Sequence, residues 1–434
     1  MKSRRSLPHW PRANRPDAVA QRQAHLRALS HWPAEHHHVL SWPVSADMLG
    51  SFQECLTGHL VLPVGVVGPL RLSLGEYMLD EAGAMRETGR SQDQVYVPLA
   101  HTEGGLSASI QRGVSAVALA DGVRTYVLAD RMTRDSCFVF RTTEEALRLA
   151  RWITKQTPAM LTWLNDPANP LRRGATGTEG ENAPSLLSSH AVLREVETHV
   201  VGPMCHVLYR FTTGDACGPN MMTRNAYALN HHFILTRFPP AAGVAPLHVF
   251  LETNMGGDKK PSYAFFQFPG HGKVVHAEAT IPGDVLRRVL HVTADEVMAL
   301  EHAGLHGAHA SGMQSFAFTP ASAIAAIFAA TGQDLGMVGT SSMAQAAASR
   351  VGDGVHLSIR FSGLEVGTVG GGTSLPHARS YLQLMNCLGP GKVYRFAQII
   401  AAAALCLELS AAASMATSSS HNFLQAHLER GGIR

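Results

Sequence analysis

The chain has 434 residues, 45% of them hydrophobic, enough for two or more cores at a usual domain size of about 100–200 residues. Its 36 basic and 33 acidic residues leave a formal charge of +3, so no broad basic field exists to hold nucleic acid or an anionic membrane surface. The six cysteines (Cys55, Cys137, Cys205, Cys217, Cys387 and Cys406) form no Cys-x-x-Cys pair and no disulfide-scaffold spacing, which fits a reducing cytoplasm.

Met1-Lys2-Ser3-Arg4-Arg5 has no apolar stretch behind its charges, so no signal peptide is expected. Residues 1–50 read as an arm rich in Pro, Trp and His, with a helix from Asp17 to Leu29. Leu60 to Leu70, punctuated by Pro and Gly, reads as an edge strand, and Thr102 to Gly122 as a helix ending at glycine. From Cys137 the rhythm shortens to strand, helix, strand, helix over Cys137–Arg141, Glu144–Thr157, Ala191–Thr213 and Asn220–Phe238, the pattern of an α+β subdomain. Between Asn165 and Pro184 a Pro, Gly, Asn and Thr-rich stretch marks an excursion. Beyond Leu251 come a strand over Lys273–Thr280, an amphipathic helix over Pro282–Leu300 and a helix over Ala321–Thr331. Ile399 to Leu409 falls short of the roughly 20 residues a membrane span needs and reads as a buried alanine-rich helix. His302, His306 and His309 could share a helical face, but Gly304 and Gly307 interrupt it, and His36-His37-His38 has no acidic or cysteine neighbour; no metal site is assigned.

The chemistry concentrates in short segments. In Gly256-Gly257-Asp258-Lys259-Lys260-Pro261 two lysines share a loop with an aspartate, an arrangement that suits either a fixed cation facing a developing oxyanion or a solvated basic turn. Thr102-Glu103-Gly104-Gly105, Gly332-Gln333-Asp334 and Ser419-Ser420-His421-Asn422 add two carboxyl groups and an imidazole. Acid, cation, acid and imidazole together suit reduction of a thioester, with a lysine on the oxyanion, a carboxylic acid as proton donor and an imidazolium for the departing thiolate. Gly367-Thr368-Val369-Gly370-Gly371-Gly372-Thr373 is too rich in glycine for a strand interior and reads as a loop where backbone approaches backbone or ligand.

These segments, with Glu54-Cys55-Leu56-Thr57-Gly58-His59, Pro63 to Leu70, Leu128-Ala129-Asp130, Met132-Thr133-Arg134 and Gly214-Asp215-Ala216, follow one another as in the 3-hydroxy-3-methylglutaryl-coenzyme A (HMG-CoA) reductases, which the chain resembles from about Ala18 to His421. The resemblance implies an α+β fold: a large mixed α/β substrate domain (51–135 and 251–410), an inserted small ferredoxin-like cofactor domain (136–250), and a C-terminal tail (411–434). It implies a homodimer with the active site at the subunit interface, NADPH or NADH as cofactor, and an acyl thioester, borne by CoA or a carrier protein, as substrate. Glu103 is then the proton donor, Lys259 the oxyanion cation, Asp334 the carboxylate linking them, and His421 the acid for the thiolate, with His427 in reserve. Asp215, Gly218, Asn220 and Met221 match the cofactor loop; Arg134, Asp258 and Lys260 match residues around the acyl carboxylate, and Ser109 and Arg112 match carrier contacts.

The chain departs from that pattern around the acyl group. Glu252 stands where a serine is expected to meet the substrate carboxylate, the neighbourhood Glu301 to Gly307 holds no lysine where one is expected, and Thr319 and Ser322 replace a histidine and an asparagine. No arginine stands near Ser188-Ser189-His190 to meet a 2′-phosphate, and Arg194 is out of register. The expected activity is four-electron reduction of HMG-CoA to mevalonate. The alternatives are reduction of another acyl or aminoacyl thioester and, lower, a non-catalytic thioester-binding paralogue.

Overall fold

The computed structural model describes residues 16–28, 53–172, 185–188, 190–266, 270–417 and 420–430. The run His36-His37-His38, residues 173–184 of the expected excursion, and Ser419 lie outside them. Helix α1 (Pro16–Arg27) is followed by a hairpin of β1 (Val64–Leu79) and β2 (Met85–Ala100), turned at Asp80, whose carboxylate accepts from the Ala84 N–H and the Arg86 guanidinium. Strand β1 is not the edge strand expected from its prolines: it lies between β2 and β3 (Val123–Val139). A register shift between Val67 and Leu70 takes Pro69 out of the ladder, which is why an interior strand tolerates it. Helix α2 (Leu106–Ala118) buries Leu106, Ile110, Val114 and Val117 along one stripe.

Strand β3 belongs to two cores. Its first half pairs with β7 (Gly272–Ile281) in the larger sheet, ordered β2-β1-β3-β7-β9-β8, and its second half starts a smaller one. There the chain runs through α3 (Thr143–Asn165), β4 (Val192–Val201), β5 (Met204–Thr212), α4 (Pro219–Ala228), α5 (Leu235–Ala242) and β6 (His248–Leu251). Strands pair antiparallel in the order β4-β5-β3-β6, the ferredoxin-like arrangement of a βαββαβ unit. Phe138, Ile153, Tyr209, Phe211 and Phe233 form its own core. Helix α3 begins with a reciprocal cap between Thr142 and Glu145, legible as Thr-x-x-Glu. The stretch expected as one strand over Ala191–Thr213 is the hairpin β4–β5.

After β7 the expected helix over Pro282–Leu300 is broken. The short α6 (Gly283–Val285) passes through a wide turn to His291 at φ 57°, and α7 (Ala294–Ser311) restarts on the Thr293/Glu296 capping box. Helices α8 (Pro320–Thr331) and α9 (Val338–Ser341), the hairpin β8 (Ala344–Val351) and β9 (Gly354–Leu364), α10 (Pro376–Leu384), α11 (Lys392–Ala416) and α12 (His421–Arg430) complete the chain. Among the described residues only α11 is long and apolar enough to cross a membrane, and 72% of its apolar window is buried within the protein. It is the alanine-rich core helix expected from sequence, at 25 residues longer than the apolar run.

A carboxylate inside α11 organises the start of α8. Glu408, 2% exposed, accepts from the N–H groups of Phe318 and Thr319 and from the Thr319 hydroxyl. Thr319, one of the departures from the family pattern, is thereby committed to a helix start. Burial pushes the Glu408 carboxyl above its ordinary value. We expect Glu408→Ala to lower stability by about 3 kcal/mol, since three donors lose their acceptor in a dry site, read as a shift of the denaturation midpoint. Because the folded-state value is raised, the wild-type advantage is full below the ordinary glutamate range and shrinks as pH rises through the raised value.

Candidate active site

Three of the sequence motifs meet around one cleft of about 590 Å³, lined by Ala216 to Met221, by Gly332-Gln333-Asp334 and by Gly367 with Val369 to Thr373. The glycines allow backbone to lie on backbone: a Cβ on Gly332 would come 2.2 Å from the Gly372 carbonyl oxygen, and one on Gly367 2.7 Å from the Cys217 nitrogen. The Gln333 side chain accepts from the Gly367 N–H at 3.0 Å, and the Thr368 N–H reaches the Asp215 carbonyl at 2.8 Å. The Asp215 carboxylate accepts from the N–H groups of Gly391 and Val393, where α11 begins. It therefore caps a helix and anchors the 214–221 loop. Helix α4 follows Gly218 (φ 102°) with no side-chain cap; Pro219 has no N–H, so the N–H groups without an intrahelical acceptor are those of Asn220 and Met221, both residues of the cleft lining.

Asp334 lines the cleft and faces Lys259: Nζ to Oδ2 is 2.6 Å, with both side chains about half exposed. The hydrogen bond that Lys259 donates to Asp334 holds the lysine above its ordinary value, so the ammonium persists through the neutral range. Asp334 also accepts from the Gly336 N–H, which makes it a cap as well as a partner. Lys260 turns the other way and donates to the Asp258 carbonyl. The loop carrying them has positive φ at Glu252, Asn254, Gly257 and Lys259. Three consecutive side chains at the middle of β3 grip it: Thr133 donates to the Gly256 carbonyl at 2.6 Å, Arg134 reaches Glu252 at 2.9 Å and Asp258 at 3.2 Å, and Asp135 accepts from the Thr253 N–H and hydroxyl. Glu252, expected to oppose a substrate carboxylate, is thus paired with Arg134, itself 4% exposed.

The remaining candidates lie elsewhere in the chain. Glu103 is exposed in the turn before α2 and, among the described residues, has no hydrogen-bond or ion-pair partner; the link to Asp334 implied by the resemblance is not made within the chain. Ser109 meets the Ser410 hydroxyl at 2.9 Å, and the Arg112 guanidinium donates to the same hydroxyl at 3.0 Å, tying α2 to α11. Ser322 is half-buried on the first turn of α8, and His421 is exposed at the start of α12. His427 donates from Nδ1 to the Phe423 carbonyl within that helix, at 2.8 Å. Arg194 is spent on Thr212 and the Glu81 carbonyl. Cys217, half-buried in the lining of the cleft, is held as the thiol, because desolvation pushes it well above the ordinary value.

A buried network unrecognised from sequence holds the cofactor-loop segment from behind. Lys273, 1% exposed, donates to Asp130 (3.1 Å) and the Thr213 hydroxyl (3.0 Å); Asp130 also receives the Gly214 N–H and the Tyr394 hydroxyl. The available signal was a lysine directly before the apolar pair Val274-Val275 in a strand, since such a cation is buried only when paired.

The sequence profile described as hydroxymethylglutaryl-coenzyme A reductase matches residues 18–431. A 3-hydroxy-3-methylglutaryl-coenzyme A reductase of Aeropyrum pernix is 34% identical over 396 residues, covering 89% of this chain and 84% of that protein, and one of Pyrococcus horikoshii is 32% identical over 388 residues, covering 88% and 84%. In fold the chain resembles the class II enzyme of Streptococcus pneumoniae bound to NADPH, with TM-score 0.60, 15% identity and coverage of 92% and 97% of the two chains. The chain therefore belongs to the hydroxymethylglutaryl-coenzyme A reductase family, the NAD(P)H-dependent oxidoreductases that act on an acyl thioester.

Proposed function

We propose that the chain reduces HMG-CoA to mevalonate with two molecules of NADPH or NADH, as a cytoplasmic homodimer. The observation that carries the reading is the Lys259–Asp334 pair, whose aspartate lines a cleft built from three of the motifs. Lys259 donates to the thioester carbonyl oxygen as charge grows there, and Glu103 gives that oxygen a proton, yielding the hemithioacetal. The hydroxyl proton is then lost as the C–S bond breaks, and His421 protonates the thiolate. A second reduction and a second proton at the same oxygen turn the aldehyde into a primary alcohol, so that two hydrides and two protons enter and one thiol leaves.

Bound cofactor supplies the hydride to the carbonyl carbon. The residues present suit it: the uncapped start of α4 offers N–H groups and a positive helix end to a pyrophosphate, and Gly218, Asn220 and Met221 line the cleft there. Asp215 acts by holding that loop against α11. In this reading residues 136–250 form the cofactor domain, 51–135 with 251–410 the substrate domain, and 411–434 the tail that carries His421. Arg134, Glu252, Asp258, Lys260 and Ser322 surround the acyl group, and Ser109 and Arg112 serve the CoA side. The relatives named above carry the name of one reaction, and nothing in the comparisons supports a different acyl group or a carrier protein.

The test is to mix purified protein with HMG-CoA and NADPH, or NADH, and follow the absorbance of the reduced cofactor. Two equivalents oxidised per mevalonate formed are expected. Absence of oxidation with either cofactor would overturn the reading.

A further inference from the structure

The Lys259 loop holds four residues at positive φ within eight positions, a backbone that persists only where the surroundings over-determine it. Part of that constraint comes through three buried groups outside the cleft chemistry. The Thr133 hydroxyl lies 2.6 Å from the Gly256 carbonyl oxygen and 2.6 Å from His271 Nδ1. A carbonyl can only accept, so the hydroxyl spends its one proton on Gly256 and must itself accept from the ring. That fixes the imidazole with a hydrogen on Nδ1.

The other nitrogen, Nε2, faces Glu365 Oε2 at 3.5 Å, and neither atom has a hydrogen-bond partner among the described residues. Both side chains are about 1% exposed. With Nδ1 committed, a bare Nε2 and an ionised carboxylate would aim lone pairs at each other in a dry interior; a single shared proton between them removes that conflict. Phe265 stacks on the ring, 4.5 Å between centroids and 10° between planes, and fixes its orientation. Glu365 is itself held by the Thr340 hydroxyl and by Ser341, which accepts from its N–H, and it lines the cleft beside Asp334.

We propose that His271 is a positioning residue for Lys259: it shares a proton with Glu365 at Nε2, donates from Nδ1 to Thr133, and through Thr133 holds the Gly256 carbonyl so that the loop keeps Lys259 at Asp334. The inference rests on the reductase reading for its kinetic consequence and on geometry alone for its structural one.

Two measurements on the full chain test it, with Thr133→Val, His271→Ala, His271→Asn and the Thr133→Val/His271→Ala double variant. Thr133→Val keeps the shape and removes the hydroxyl, so it carries the test if His271→Ala does not fold. We expect kcat to fall by about 10- to 100-fold in Thr133→Val and His271→Ala, with KM for NADPH within about twofold of wild type. The double variant should be no worse than either single change, because both break one relay. His271→Asn, which keeps a donor at the δ position, should recover about tenfold over His271→Ala. Amide hydrogen exchange in residues 252–260 should quicken in Thr133→Val and His271→Ala and not in His271→Asn. Turnover within about twofold of wild type in folded Thr133→Val, additive losses, or unchanged exchange in the loop would overturn the proposal. If wild-type protein oxidises no NADPH with HMG-CoA, the reductase reading fails, and loop exchange still decides the role of His271.

Discussion

Replacing Lys259 by alanine is expected to lower kcat for HMG-CoA reduction by about 10²- to 10³-fold, the usual loss when one oxyanion donor is removed. The ammonium donates to Asp334, and that hydrogen bond keeps it charged by raising the lysine above its ordinary value. For such a raised value, the pair is intact below the ordinary lysine range and is lost only as pH rises through the folded-state value, so the donor does not titrate near neutrality. Folding stability should change by less than about 1 kcal/mol, because both side chains are about half exposed and such pairs contribute little. A steady-state assay together with a denaturation curve separates the two effects. Activity within about threefold of wild type in a folded Lys259→Ala protein would remove the lysine from the chemistry.

Asp334→Asn offers the contrast. Its amide oxygen can still accept from the Gly336 N–H and keep the turn, while the charge that holds the Lys259 ammonium is gone. A fall in kcat without a fall in stability would therefore belong to the charge and not to the cap.

The pieces of this site that were legible in sequence are those whose chemistry is local. Asp258-Lys259-Lys260, Gly332-Gln333-Asp334 and the Gly367–Thr373 loop each carry their own reason for being loops, and the cleft joins the last two with the segment after Asp215. Helices α3 and α7 both start on Thr-x-x-Glu, a rule that operates within four residues, although the single helix expected over Pro282–Leu300 runs across the second of these starts. What stayed hidden depends on contacts across long separations. Nothing near Glu408 says that it will hold the start of a helix 89 residues away, and nothing near Lys273 names Asp130, 143 residues earlier, as its partner. Glu252 gave no sign of its partner for the same reason: Arg134, 118 residues before it, takes up its charge. The interior place of β1 was missed because the register shift that accommodates Pro69 is a property of the pairing, not of the strand.

A stability effect as large as that at Glu408 is expected at Arg134. Its guanidinium, with a side chain 5% exposed, holds Glu252 and Asp258 together and reaches the Pro219 carbonyl at 3.5 Å, so one residue ties β3 to the Lys259 loop and to the start of α4. Arg134→Met would leave two carboxylates side by side without their cation. Breaking a buried pair from one side is costly, and we expect about 3 kcal/mol, the lower part of the range because each carboxylate keeps about a fifth of its surface in water. The denaturation midpoint should drop accordingly, and the double variant Arg134→Met/Glu252→Gln should recover part of the loss by removing one of the stranded charges. A single variant with an unchanged midpoint would mean that the two acids are already neutralised by solvent or protons. Glu252→Gln alone isolates the functional side of the same triad: with one carboxylate gone, Arg134 gains attraction for the acyl carboxylate of HMG-CoA, and KM should fall. A KM that rises in Glu252→Gln would show instead that the glutamate is needed to aim the guanidinium, and that the substrate meets an arginine pre-oriented by its own acids.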